Sequence, residues 1–199
     1  MSPLAQQKTL LLETIKIEEG HIVNLPYHQN RCDQSRKILF KNIKPLILGK
    51  HIDPPQKGIY RCRILYNQSI QKIEYLPYIE KEIQSLRVVP SNLEYNFKYA
   101  NRDAFKDLLS THTDVDDVLI EKEGYLSDTS IANIAFYDGK LWFTPAKPLL
   151  AGTQRQKLLD EGFLQPRDIK KEDLHLYSQV ALMNAMIGFK IIKNINILT

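Results

Sequence analysis

Residues 9–17 read TLLLETIKI, a run of β-compatible side chains, and Glu19-Gly20 supplies a turn before HIVNL. This pattern predicts a hairpin. Over 28–40 the composition turns helical, with Cys32, Ser35, Ile38 and Leu39 able to share one face. Asp53-Pro54-Pro55 breaks the chain, residues 58–66 predict a strand, and 72–78 predict a further extended segment. Residues 1–78 are therefore expected to form a small α/β domain.

Residues 79–90 read as an interdomain connector, and 91–199 as a larger, β-rich domain. Within it, 99–109 predicts a helix with Ala100, Ala104, Phe105 and Leu108 on one side. A short buried strand is expected over 117–122. Residues 131–137 and 140–144 flank Asp138-Gly139, a favoured hairpin pair. Residues 152–161 predict a helix that Gly162 stops. Segments 179–183 and 188–192 are apolar enough for core strands. The expectation is an α+β chain in two parts with a cleft between them.

Composition narrows the function classes. The 199 residues, 43% hydrophobic and 25% charged, are ordinary for a globular protein, and the net charge of +4 is mild. No stretch reaches the roughly 20 apolar residues that a membrane span needs, and MSPLAQQKTLLLETIK lacks a signal-peptide cleavage pattern. A cytoplasmic protein without a membrane partner is expected. Cys32 and Cys62 have no metal-type spacing, and the five histidines form no His-x-x-x-His pair, so no metal site is expected. Scattered basic residues form no nucleic-acid module, and no nucleic-acid partner is expected.

Four segments, the last of them split in two, carry the candidate chemistry. LLETIKIEEGHIVNLPYHQNR ends in His28-x-x-Arg31, whose guanidinium suits a dianionic phosphate. FKYANRDAF holds Lys98 before Asn101 and Arg102, residues that either orient a helix or touch substrate. EGYLSDTSIANIAF places Asp128 five residues before Asn133; Asp128 also suits a turn cap within Ser127-Asp128-Thr129. In LLAGTQRQKLL, Gly152-Thr153 opens a helix whose N-terminus favours an anion. ALMNAMIGF adds Asn184 and Ala185.

In order and spacing these segments resemble the fold-type IV pyridoxal phosphate enzymes, among which D-amino acid aminotransferase represents the fold and aminodeoxychorismate lyase is the nearest match. The resemblance covers roughly residues 10–190. It implies pyridoxal 5′-phosphate as cofactor, Lys98 as the Schiff-base lysine and catalytic base, and Asp128 beside the pyridine nitrogen. It further implies phosphate contacts from Arg31, from the backbone of Gly152, Thr153 and Gln154, and from Asn184 and Ala185, with Asn133 completing the Asp128 motif. Asp128 replaces the commoner Glu. The usual opening strand with Asp-Arg-Gly is missing, and YNQSIQKIEY stands where the lyases carry an Arg-Gly-rich substrate loop. Arg63 in YRCRILY is the candidate for a substrate carboxylate.

The activity so implied is α,β-elimination on 4-amino-4-deoxychorismate, giving 4-aminobenzoate and pyruvate, a reaction of folate biosynthesis. An aminotransferase acting on D-amino or branched-chain acids is the alternative on the same scaffold. A non-catalytic cofactor-binding relative is the third reading. The resemblance also implies a homodimer that takes a small amino-group substrate.

Overall fold

The computed structural model describes residues 9–41 and 43–199. The N-terminal segment discussed above falls partly on residues 1–8, which lie outside the described residues. The chain divides into two compact units, Met1–Ile79 with Phe97–Asn101, and Glu80–Asn96 with Arg102–Thr199. Residues 97–101, and Lys98 with them, thus group with the first unit, whereas the sequence pattern assigned everything from residue 91 onward to the second.

Among the described residues, the first unit is a four-stranded antiparallel sheet with one α-helix and a short 3-10 helix, Leu48–His51. Its elements are β1 (Leu11–Glu18), β2 (His21–Ile22), α1 (Leu25–Leu39), β3 (Ile59–Tyr66) and β4 (Ile70–Pro77), in the sheet order β2-β1-β3-β4. Glu19 and Gly20, both at positive φ, make the two-residue turn that suits the right-handed twist of a hairpin. The second strand is shorter than HIVNL suggested. Asn24 enters the left-handed region and Pro26 sits in the first helical turn, so α1 begins at Leu25 rather than at residue 28. Leu11, Ile15 and Ile17 of β1, Cys62, Ile64 and Tyr66 of β3, and Cys32 and Leu39 of α1 form one core.

The second unit contains two sheets. β5 (Ser85–Pro90), β6 (Asp117–Lys122), β7 (Tyr125–Thr129) and β13 (Asn196–Leu198) form one, in the order β13-β5-β6-β7. β8 (Asn133–Tyr137), β9 (Trp142–Pro145), β10 (Leu164–Arg167), β11 (Gln179–Asn184) and β12 (Gly188–Ile192) form the other, in the order β10-β9-β8-β11-β12. Its two α-helices are α2 (Asp103–Ser110) and α3 (Thr153–Asp160). The residues expected to be a connector are therefore in part a core strand. Leu86 of β5 is fully buried, and β5 runs parallel to both β6 and β13.

Both faces of the five-stranded sheet are covered. Ile134, Phe136, Val180 and Leu182 join Leu86, Val88, Leu119 and Leu126 of the other sheet, while Ala135, Ala181 and Met183 pack with Leu158 of α3. That double burial explains why β8 and β11 read as continuous apolar runs rather than alternating ones. Gly162, at φ +70, ends α3 as its position suggested, with Phe163 N–H returning to Leu158 O at 2.9 Å. No helix among the described residues is long and apolar enough to cross a membrane.

Candidate active site

Alternation along β1 turns Leu11, Glu13, Ile15 and Ile17 to the same side. A carboxylate thus enters an otherwise aliphatic face and is fully buried. What tolerates it there is α1. His28 and Arg31, three residues apart and so on one side of the helix, both reach Glu13. His28 Nδ1 lies 2.6 Å from Oε2. Arg31 donates from Nε to Oε1 at 2.9 Å and from Nη2 to Oε2 at 2.5 Å, a bidentate pairing along one edge of the guanidinium. Burial on its own would raise the Glu13 carboxyl, but the charge of Arg31 and the hydrogen bonds from His28 and Arg31 together outweigh it and hold the group at about 2. Glu13 is therefore ionised and can only accept, so Nδ1 of His28 carries the proton. Burial pushes the His28 imidazole down, and the hydrogen bond it donates to Glu13 opposes that only in part.

Lys98 directly precedes residues 99–101, which were expected to open a helix and do not. Its carbonyl accepts the Leu12 N–H at 2.8 Å, Ala100 donates to Leu10 O at 2.9 Å, and Leu11 and Tyr99 form a bridge. These backbone bonds keep 97–101 extended beside β1, and α2 begins only at Asp103. Phe105 is the buried residue of α2, while Ala104 is exposed. Lys98 itself is half-buried, beside the strand that carries Glu13 into the core. Arg63 lies on β3 opposite Thr14 and pairs with Glu74, Nη1 to Oε2 at 3.2 Å. Asn101 is exposed. Arg102 caps α2 and donates through Nη2 to Ser130 O at 2.5 Å, with its guanidinium over the Phe105 ring.

In the second unit, three of the sequence motifs converge. Asp128 stands near the end of β7 and Asn133 opens β8. The turn joining them is closed by Thr129 N–H to Ala132 O at 2.9 Å and Ala132 N–H to Thr129 Oγ1 at 3.1 Å. Asn133 Nδ2 donates to Asp128 Oδ1 at 2.8 Å and to Leu150 O at 2.9 Å, and Leu150 N–H donates to Asp128 Oδ2 at 3.0 Å. Asp128 thus lies within a strand, not a turn. Burial pushes its carboxyl up to about 6; the donors at Asn133, Leu150 and Leu149 and the charge of Arg155 oppose the shift without cancelling it.

Gly152 leads into α3 beside this assembly. Thr153 and Gln154, the first two residues of the helix, are buried, at the end where backbone N–H groups and the helix dipole favour an anion. Arg155 lies in the first turn of α3 and is buried. Its Nη2 donates to Pro145 O at 2.9 Å, while its Nε and the Oγ of Ser130 are buried without a hydrogen-bond partner among the described residues. Asn184 is committed to its own turn: Oδ1 accepts from Met186 N and Ile187 N, and Nδ2 donates to Ile131 O at 3.2 Å. Ala185 lies half-buried in that turn, so an anion contact from this segment falls to its backbone.

The sequence reading missed Glu13, although its signal was present as a lone acid at a core-facing step of an alternating strand. It also missed the part that Leu150 plays in holding Asp128, because a backbone donor leaves no mark in the sequence. As chemistry, the second unit offers a buried acid whose hydrogen-bond donors are all neutral, suited to a protonated ring nitrogen, and a buried helix start suited to a phosphate. Among the described residues, no group of three or more His, Cys, Asp or Glu is placed to hold a metal ion.

The profile of the family described as amino-transferase class IV matches residues 64–195. An uncharacterized protein of Haemophilus influenzae is 38% identical over 184 residues, covering 89% of this chain and 98% of its own. A solved structure from Haemophilus somnus 129PT, described as a "putative 4-amino-4-deoxychorismate lyase", is 34% identical with a TM-score of 0.82, covering 91% of this chain and 98% of its own. A Mesorhizobium loti structure described as a "putative amino-acid aminotransferase" shares the fold at 22% identity and a TM-score of 0.79, over 94% of this chain and 99% of its own. With its motifs in order and its profile match over most of the length, the chain belongs to the class IV aminotransferase family of enzymes.

Proposed function

We propose that this enzyme binds pyridoxal 5′-phosphate through Lys98 and cleaves 4-amino-4-deoxychorismate to 4-aminobenzoate and pyruvate. The observation that carries the cofactor reading is Asp128, a buried carboxyl pushed up to about 6 and surrounded by neutral donors. A cationic N–H partner would complete its environment, and a protonated pyridine nitrogen is such a partner. The orphaned buried Oγ of Ser130 and Nε of Arg155 fit the same view of a unit that holds a polar ligand. The lyase reading takes its support from the Haemophilus somnus structure, which is described as a "putative 4-amino-4-deoxychorismate lyase" and is similar to this chain over nearly its whole length.

When bound, the cofactor supplies an electron sink for the bonds at the substrate α-carbon. The chain's residues then have separate tasks. Lys98 holds the cofactor aldehyde and, once released, takes the α-proton at Nζ. Asp128 keeps a proton on the ring nitrogen, and Asn133 holds Asp128 in place. Arg31, the first-turn N–H groups of Thr153 and Gln154, Gly152, and the turn at Asn184-Ala185 anchor the phosphate. Arg63 is the candidate for a substrate carboxylate. The protein is proposed to work as a cytoplasmic homodimer in folate biosynthesis.

Two measurements test this. Borohydride reduction of the yellow protein followed by peptide mapping should place the cofactor on Lys98, and Lys98→Ala should abolish the label; a label on another lysine overturns the assignment. Incubation with 4-amino-4-deoxychorismate should release 4-aminobenzoate and pyruvate without a keto-acid acceptor. The family's description favours a second reading, an aminotransferase acting on D-amino or branched-chain acids. Product formed only when an acceptor is supplied would establish that reading instead.

A further inference from the structure

We propose that Glu13 and His28 are positioning residues for Arg31, fixing the plane of its guanidinium so that the edge turned from Glu13 meets the cofactor phosphate. The inference rests on the reading that Arg31 takes that phosphate.

Glu13 is out of place by every criterion of the fold alone. Its neighbours on the same face of β1 are Leu11, Ile15 and Ile17, all fully buried, and an aliphatic residue would continue that face. Burying a carboxylate and a guanidinium together is costly, and well-packed apolar residues in place of such a pair are often neutral or stabilising. A fully buried Glu at this step is therefore better explained by what it holds than by stability.

The geometry specifies what it holds. A guanidinium presents five N–H donors in a rigid plane. Glu13 takes Nε–H and one Nη2–H in a fork, which fixes both the rotation and the tilt of that plane. The carboxylate is itself held, because His28 Nδ1 meets Oε2, the oxygen that also receives Arg31 Nη2. His28 precedes Arg31 by one helical turn, so a single face of α1 supplies both the gripped group and the brace of its grip. The charge of the pair cancels, so Arg31 would attract phosphate through the direction of its N–H bonds rather than through net charge.

That last point gives the test a sign. Glu13→Gln removes a negative charge beside Arg31, so simple Coulomb attraction predicts tighter binding of an anion. Loss of positioning predicts weaker binding. The imine band of the protein, titrated with pyridoxal phosphate and with pyridoxal, which lacks the phosphate, separates the two. In Glu13→Gln the dissociation constant for pyridoxal phosphate should rise about tenfold, the equivalent of one charge-assisted hydrogen bond. The constant for pyridoxal should change by less than about twofold on the same scale. Unchanged or tighter pyridoxal phosphate binding, or an equal loss for both aldehydes, would overturn the proposal.

If Glu13→Gln fails to fold, the His28 pair decides. His28→Asn can place an amide N–H where Nδ1 stood and should keep the preference for the phosphorylated aldehyde, whereas His28→Leu should lose it; equal behaviour of the two also overturns the proposal. A wild-type protein that forms no imine with either aldehyde brings down the cofactor reading itself. That result is distinct from a wild type that binds while the variants are indifferent.

Discussion

A Cβ on Gly152 would lie 1.9 Å from Oδ1 of Asn133. The glycine is required by this contact and not by its backbone angles, since φ is −69° and open to any residue. The amide of Asn133 faces Gly152 with its oxygen and Asp128 with its nitrogen, so the close approach ties the start of α3 to the buried acid.

Gly152→Ala should therefore damage more than the glycine. Either Asn133 rotates and releases Asp128, or the start of α3 moves away. Destabilisation of about 2 kcal/mol is expected from overpacking of this kind, read by thermal or denaturant unfolding. Adding Asn133→Ala removes the oxygen that the methyl strikes. The double variant should consequently lose less than the sum of the two single losses, and strict additivity would show that the clash had been absorbed elsewhere.

The Asp128 carboxyl makes stability of the cofactor-free protein depend on pH in an unusual direction. Its folded pKa is raised from 3.8 to about 6. The folded state thus binds the proton more tightly, and the contribution is fully present below the unfolded value and lost as pH rises through about 6. The difference is on the order of 3 kcal/mol. Melting temperatures of wild type should fall relative to Asp128→Asn as pH is raised from 4 towards 7, on the order of the window these values set. A flat difference between the two curves would show that Asp128 is already ionised in the fold.

Glu13 acts in the opposite sense. Its folded pKa is held at about 2, below the ordinary 4.5, so its contribution is present above 4.5 and lost as pH falls towards 2. The loss of helical circular dichroism on acidification should be steeper for wild type than for Glu13→Gln in that window. Parallel acid limbs would show that the carboxylate gains nothing from Arg31 and His28.

Arg36 is almost completely buried and has carbonyls for partners. It donates to Asn67 O at 3.1 Å, Lys44 O at 2.9 Å and Gln68 O at 2.7 Å, joining α1 to the β3–β4 turn and to the chain after the helix. Arg36→Met keeps much of the bulk but leaves three acceptors without their donor. A loss of about 3 kcal/mol is expected in equilibrium unfolding. A loss below about 1 kcal/mol would mean that water replaces the guanidinium.

How much of this was legible beforehand differs from element to element. The hairpin at Asp138-Gly139 was legible, although it closes over four residues, with Tyr137 opposite Trp142, rather than in the two-residue turn expected. That hairpin, the stop at Gly162 and the strands β3, β6, β11 and β12 follow from local steric preference and short-range periodicity, which a single stretch of chain carries within itself. The order of Arg31, Lys98, Asp128, Asn133 and Gly152 was likewise readable, and it was enough to point to the family. Residues 85–90 and 99–101 were misread because their partners are remote. Ser85–Pro90 becomes a strand by pairing with Asp117–Lys122 and Asn196–Leu198, and residues 99–101 are kept out of the expected helix by the backbone bonds from Ala100 to Leu10 and from Leu12 to Lys98.

The sequence by itself determined which residue types are available and in what order they come. It could not say that Glu13 faces inward to Arg31 and His28, that Leu150 lends its N–H to Asp128, or that Asn133 leaves no room for a side chain at 152. Those were decided by tertiary structure, because each depends on a hydrogen bond or a steric contact between groups far apart along the chain, and a hydrogen bond inside a protein is made or lost over a few tenths of an ångström.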